Sequence, residues 1–452
     1  VKTPTMKNLL FIVFFIINLV YCSYLFSAEV EITISKQIER KTRLTLLPFY
    51  AQAKSQSEFI ILAKEIFAIA EFDFKHSGYF QLWPEEKLPE KALDQAKDFE
   101  NLNFDFWLDY GTEMVTKGIF EVSGDNITIK FRVFDMASRS IYFEDAISGS
   151  QSKLRSLVHT ITANLIEKVS GRPSIATTKI AYVAQTGSAK NIYIMDYDGY
   201  NHFQFTFDDT INVDPEWNRE GNAVLYMSYI QTYPFIYMKK LNADKINLIS
   251  GKPGLNAFPA VSPDGQKIAC TLSFNGNPEI YVIDFYGNVI KRVTWTPSVE
   301  NSPTWAPDNQ TLAFVSDMGG TGRPQIYVKN YLAGDDIDPR RITFSGNYNS
   351  SPDWSPIPGS NIIVYTSLYG RNSEICIVDA NTGDYRRVTT SLESEEDPSW
   401  APDGIHITYT ITQNYKSDIY FMDIRDGVPV KLTSSKNNCS SSAWGPSYKK
   451  TK

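Results

Sequence analysis

The 452-residue sequence predicts two folded parts, an N-terminal α/β domain and an all-β six-bladed β-propeller closed by its C-terminal strand. Three landmarks that recur in one order predict the propeller. The first is an Ile-Tyr theme: Ile192-Tyr193, Ile236-Tyr237, Ile280-Tyr281, Ile326-Tyr327, Ile375-Cys376 and Ile419-Tyr420, at steps of 44, 44, 46, 49 and 44 residues. The second, about 13 residues after each isoleucine, is an apolar residue followed by Thr or Ser, as in Phe205-Thr206, Val293-Thr294 and Leu432-Thr433. The third is a Pro-x-Trp segment: Asp214-Pro215-Glu216-Trp217, Ser302-Pro303-Thr304-Trp305, Ser351-Pro352-Asp353-Trp354 and Asp397-Pro398-Ser399-Trp400, with Phe258-Pro259-Ala260-Val261 and Ala443-Trp444 as variants.

The composition agrees with a folded, β-rich chain. Hydrophobic residues make up 42%, charged residues 21% and aromatic residues 13%. The formal charge of −7 argues against nucleic acid as a partner, because phosphate binding needs a basic surface.

At the N-terminus, Lys2 and Lys7 precede an apolar run, Leu9 to Ile17 continuing through Asn18 to Val20, that predicts a secretory signal peptide over 1–28 with cleavage after Ala28, the alternative being an uncleaved anchor helix. That run is shorter than the ~20 residues a membrane helix needs, so the mature chain is expected to have no membrane span. Residues 29–43 form a separate segment in which Val30, Ile32 and Ile34 alternate with polar residues. It could add as an edge strand to a partner or serve as the first strand of the domain itself.

Residues 44–170 predict a mixed sheet packed by two or three helices. Leu44–Phe49 reads as a strand, and Ser55-Gln56-Ser57-Glu58 as a capping box before a helix over Phe59–Phe72. Phe104, Phe106, Leu108 and Tyr110 alternate as in a strand. Gly124-Asp125-Asn126 joins two further strands as a hairpin. Leu154, Leu157, Val158, Ile161, Leu165 and Val169 trace a helical face, and Ser170-Gly171-Arg172-Pro173 stops it. A linker over 171–177 follows.

Residues 178–447 hold six units of ~45 residues, each reading as four antiparallel strands, the size and content of a propeller blade. The array begins in phase with a second strand, at Lys179-Ile180-Ala181-Tyr182-Val183, and ends on a first strand, at Ala443-Trp444. The last strand should therefore join the first blade and close the ring. The tryptophans are expected to pack between blades. The tail is 448–452.

Motifs for catalysis are missing. The sequence has no Gly-x-Ser-x-Gly elbow, no phosphate loop and no His-Glu-x-x-His. Its four histidines, His76, His159, His202 and His406, show no metal-ligand spacing. Cys270, Cys376 and Cys439 are too scattered for a disulfide framework and read as buried packing residues. Asp214, Glu300, Glu395, Glu396 and Asp397 read as acidic loop residues, open to a cation, a basic partner or solvent alone.

Together these features resemble the TolB family of periplasmic propeller proteins of the Tol–Pal envelope system. The resemblance spans nearly the whole chain. It is most specific in the domain order and in Asp196-Tyr197-Asp198-Gly199-Tyr200-Asn201. It implies a monomeric, non-enzymatic scaffold without cofactor or metal, active in outer-membrane integrity and envelope constriction at cell division. The propeller mouth would bind a Pal-like peptidoglycan-associated lipoprotein. By motif, that mouth is placed at Asn212, Asp214, Asn256, Phe258, Glu300, Asn301, Ser350, Glu396 and Asp397. Glu29, Val30, Glu31, Ile32, Thr33 and Ile34 would bind a TolA-like inner-membrane protein. Departures from the family pattern are Asn218-Arg219-Glu220-Gly221, Pro356-Ile357-Pro358-Gly359 and Leu255. Competing readings are a propeller hydrolase or lyase and a glycan-binding propeller, because the blade motif is shared with such proteins.

Overall fold

The computed structural model describes residues 40–52, 59–84, 88–320, 322–434 and 437–447. The predicted signal peptide, the segment Glu29–Ile34, the capping box at Ser55–Glu58 and the tail lie outside the described residues.

The N-terminal domain is built on a five-stranded mixed sheet. β1 (Thr42–Ala51) runs parallel to β2 (Phe80–Leu82) on one side and to β3 (Met114–Ser123) on the other. Thr42 and Arg43 thus lie within the sheet. β4 (Asn126–Asp135) and β5 (Ser140–Ser150) extend it antiparallel, and the β3–β4 hairpin turns at Gly124-Asp125 as predicted. Gly124 has φ +62°, a conformation that glycine adopts without steric cost.

One face of the sheet is covered by α1 (Ile60–Lys75). Here the chain also places α2 (Glu90–Ala96) and α3 (Phe104–Tyr110), and later α4 (Leu154–Ser170). Ile66, Ile69 and Phe74 of α1 and Val158, Ile161 and Leu165 of α4 pack with β1 and β4 in one core. Ala92 of α2 and Trp107 of α3 fill a second core on the opposite face, with Leu47, Val115 and Phe134. The described residues therefore hold four helices, where two or three were expected.

Residues Phe104–Tyr110 are helical and not the predicted strand. Seven residues with apolar side chains at both two- and three-residue spacings fit either period. The ends decide it. The Asn103 side chain accepts from Phe106 N at 3.1 Å, and Gly111 closes the helix in the left-handed region at φ +83°. Trp107 is then fully buried and donates to Gln95 Oε1 at 3.0 Å.

The second domain has six four-stranded sheets. The blade that closes the ring is made from both ends of the array. Its first strand is Asn438–Trp444, paired antiparallel with Lys179–Thr186 so that Asn438 faces Gln185 and Trp444 faces Ile180. The first strands are innermost, and each contacts the first strand of the next blade all the way round.

The landmarks acquire physical roles. In five blades the Thr of the apolar-Thr pair accepts the N–H of the blade's isoleucine on Oγ1, at 2.9 Å for Ile192, Ile280, Ile326, Ile375 and Ile419. That hydroxyl pins the fourth strand where the ladder ends. The tryptophans are buried between blades, as expected. Trp217, Trp305 and Trp400 each donate their indole N–H to a carbonyl of the preceding blade, those of Ala443, Ala260 and Asp353, at 3.0–3.1 Å. The residue before the Trp repays the contact forward. Glu216, Thr304, Asp353 and Ser399 accept the N–H of Val261, Trp354, Trp400 and Trp444 in the following blade at 2.7–3.1 Å.

The two domains are joined by a buried polar cluster. Asp73 of α1 is bonded by His159 Nδ1 at 2.9 Å, by the Thr162 hydroxyl and by Tyr197 OH of the first blade. His159 Nε2 lies 3.1 Å from Asp198, which also pairs with Arg155. Arg425 donates across the same junction to Gly78 O at 2.7 Å. Burial works against the His159 charge, but Asp73 and Asp198 outweigh it and raise its pKa to about 10. His159 is therefore an imidazolium at neutral pH.

His159→Ala should leave buried Asp73 without its cation and Asp198 with Arg155 alone, and cost about 3–5 kcal/mol in urea unfolding. Because the folded pKa lies above the ordinary value, the stabilisation is complete below about pH 6.5 and fades as pH rises through about 10. A wild-type chain that melts at one temperature from about pH 7 to about pH 10.5 would contradict this assignment.

Candidate functional site

The candidate site is the propeller end at which the first strands begin. The loops entering from each fourth strand and the hairpins between second and third strands meet there, because the four strands of a blade alternate in direction.

Each first strand carries a bulge. It falls at Asp214, Phe258, Ser302, Ser351, Asp397 and Ser441, all at φ +48° to +53°. The register of the inner strand pair shifts there in every blade. In five blades the next residue is proline, which has no N–H to offer a ladder and sits at bulges for that reason. Three of these side chains meet: Ser351 Oγ and Ser441 Oγ donate to the two carboxylate oxygens of Asp397 at 2.8 and 3.1 Å. Burial, then the charge of Asp397, pushes Asp214 up to about 7.

The sequence-placed mouth residues divide by depth. Asp214, Phe258 and Asp397 stand on the bulges and are half-buried. Asn301, Ser350 and Glu396 precede the bulges and are also half-buried, and Glu396 accepts from Ser373 Oγ at 2.9 Å. Asn212, Asn256 and Glu300 are fully buried and cannot present their side chains to the mouth. They act as struts. Asn256 Oδ1 accepts from Ser250 Oγ at 2.7 Å and Lys252 N at 3.0 Å, and its amide donates to Lys252 O at 2.7 Å. Glu300 Oε1 accepts from Thr296 and Ser316, both at 2.7 Å. Glu395, read from sequence as an acidic loop residue, is buried too.

What the motif missed is an apolar rim. Phe207 is 71% exposed, Trp295 57%, Phe344 71% and Leu392 91%, all in loops that lead into first strands. Tyr233 and Tyr415, on the hairpins of the same end, are also well exposed. Three rim aromatics have a cation beside the ring: Arg292 at 3.8 Å from Trp295, Arg341 at 5.0 Å from Phe344 and Lys239 at 5.6 Å from Phe207. The signal was present in the sequence. In Phe205-Thr206-Phe207, Val293-Thr294-Trp295 and Ile342-Thr343-Phe344 an aromatic follows the buried Thr.

At the opposite end, where the first strands finish, a cavity of about 380 Å³ is lined by the proline and tryptophan turns, with Glu216 and Asp353 among them. Burial drives both carboxyls upward, Glu216 to about 8 and Asp353 to about 6. No group of three or more His, Cys, Asp or Glu placed to hold a metal ion occurs among the described residues. No helix among them is long and apolar enough to cross a membrane.

Residues 30–141 match the TolB amino-terminal domain, and residues 166–448 the TolB beta propeller domain. The chain is 30% identical over 188 residues to a Tol-Pal system protein TolB of Desulfosudis oleivorans, covering 42% of this chain and 43% of that one. It is 28% identical over 310 residues to a Tol-Pal system protein TolB of Francisella tularensis, covering 65% and 70%. The first of these matches thus spans under half of the relative's length. The fold is similar to the crystal structure of TolB from Acinetobacter baumannii, with a TM-score of 0.74 over 90% of this chain and 97% of that one at 24% identity. With both domains matched in order over most of its length, the chain belongs to the TolB family.

Proposed function

We propose that the chain is a non-catalytic docking scaffold of a Tol–Pal system in the periplasm, supporting outer-membrane integrity and constriction at division. Its mouth holds a peptidoglycan-associated lipoprotein. Its N-terminal segment, Glu29–Ile34, holds a TolA-like inner-membrane protein. The observation that carries the docking role is the exposed aromatic rim. Large apolar side chains gathered on one face of a soluble domain mark a protein-binding surface. Aromatic residues are also the side chains that dominate binding energy at such surfaces.

The rim is separable from the fold because its side chains are exposed. Truncating Trp295→Ala and Phe344→Ala together should weaken capture of the lipoprotein's soluble domain by about 100-fold, with the melting temperature unchanged within ~2 °C. Undiminished capture by the folded double variant would remove the mouth from the interface. Deleting residues 29–34 should abolish TolA-like binding and leave lipoprotein capture in place, as read by pull-down with each partner separately. Loss of both partners from a chain that still melts cooperatively would defeat this division of labour.

A further inference from the structure

Behind the rim, four of the six blade junctions carry a buried polar pair. One member precedes the blade's isoleucine on the third strand; the other opens the first strand of the next blade. At one junction the pair is Gln325 and Asn349, joined by Asn349 Nδ2 donating to Gln325 Oε1 at 2.8 Å. At another it is Asn191 and Asn212, joined at 3.2 Å by the same kind of amide bond. At two junctions both members are glutamates: Glu279 with Glu300, and Glu374 with Glu395, all four buried.

Two carboxylates cannot make the bond that two amides make. Glu279 Oε2, Glu300 Oε2 and Glu395 Oε2 are buried without a hydrogen-bond partner. In the first pair the two carboxyl groups lie against each other. A proton shared between facing carboxyls satisfies both and removes the like-charge repulsion. Burial and the neighbouring Glu279 push Glu300 up to about 7, and burial, with Glu374 and Glu393 adding to it, raises Glu395.

The charged and titratable surroundings do not cancel this. Arg292 donates to Glu279 at 2.8 Å and Arg387 to Glu374 at 3.1 Å, so each arginine neutralises one member and leaves the other. Tyr327 faces Glu300, and Asp317 accepts Val299 N at 3.1 Å on the same loop. Glu393 and Tyr409 face Glu395. The first pair is bonded to a rim loop, and the second lies beside one. Thr296 bonds the first through its N–H, at 3.1 Å to Glu279, and its hydroxyl, at 2.7 Å to Glu300, just after Trp295. Glu395 lies three residues beyond Leu392.

We propose that the Glu279–Glu300 and Glu374–Glu395 pairs are proton-sensing braces of the propeller mouth, holding loops 295–299 and 390–393 in docking geometry while one carboxyl of each pair is protonated and loosening them when the proton leaves. The proposal rests on the mouth being the docking face. Lipoprotein capture is then favoured in mild acid and weakened as pH rises through neutrality.

The test measures affinity for the soluble domain of a peptidoglycan-associated lipoprotein at about pH 5.5 and about pH 8.5. The wild-type chain is compared with Glu300→Gln/Glu395→Gln, which gives each pair one amide that can donate to the remaining carboxylate and that does not titrate. The wild type should lose roughly tenfold in affinity across that range, and the double variant less than about twofold. Equal wild-type binding at both pH values overturns the proposal and leaves the docking face standing. Binding at neither pH overturns the docking face instead, and melting then judges the braces alone. The double variant should melt about 2–5 °C above wild type at about pH 8.5 and with it at about pH 5.5. Identical melting at both rejects the braces. Glu300→Gln alone should show part of the same shift.

Discussion

The pairing of Asn438–Trp444 with Lys179–Thr186 joins strands about 250 residues apart and turns six sheets into a ring. Without it the first blade would lack its innermost strand, and the ring would have two open ends. The closure also sets the inner surface. Each first strand is held between its neighbours by a backward indole bond or a forward bond from the residue before the Trp position, or by both. A hydrogen bond of this kind contributes only about 1 kcal/mol net, but the ring lets every junction depend on the next. That mutual support holds six non-glycine residues at positive φ, a conformation that extended strands otherwise avoid.

The same closure positions the domain interface. The turn carrying Tyr197 and Asp198 belongs to the closing blade, and it meets α1 and α4 through Asp73 and His159. This cluster lies at the end of the propeller where the first strands finish, opposite the aromatic rim. Burying an imidazolium between two carboxylates is unfavourable unless every charge is matched. Here Arg155 and the Tyr197 and Thr162 hydroxyls supply the remaining partners. Among the described residues, this junction therefore lies away from the rim.

The two ends of the propeller thus carry different chemistry from one repeated strand. At one end the first strands finish in proline-rich turns, with Glu216 and Asp353 lining an open cavity. At the other they begin with buried amides or carboxyls, and the exposed side chains come from the loops before them. A single motif position cannot report both. Residues five places before the Trp position, such as Asn212, Asn256 and Glu300, hold the loops from beneath, while Phe207, Trp295 and Phe344 face outward.

Much of the architecture was legible in the sequence because it repeats. Steps of about 45 residues, three landmarks in one order and the phase of the two ends determine six blades and their closure, and the Gly124-Asp125 hairpin follows from local turn chemistry. The family resemblance followed from the same residues. Other features could not be read from residue order. Phe104–Tyr110 has a pattern that serves a strand or a helix, and its packing as a helix decides between them. His159 reads as an isolated histidine until α1 and the first blade bring Asp73 and Asp198 against it. Glu300 and Glu395 read as acidic loop residues open to a cation, a basic partner or solvent, yet both are buried, beside Glu279 and Glu374 of the preceding blade. Repetition and turn chemistry are local in sequence, so the sequence by itself determines them. Burial and charge pairing depend on which distant segments meet, and only the tertiary structure decides that.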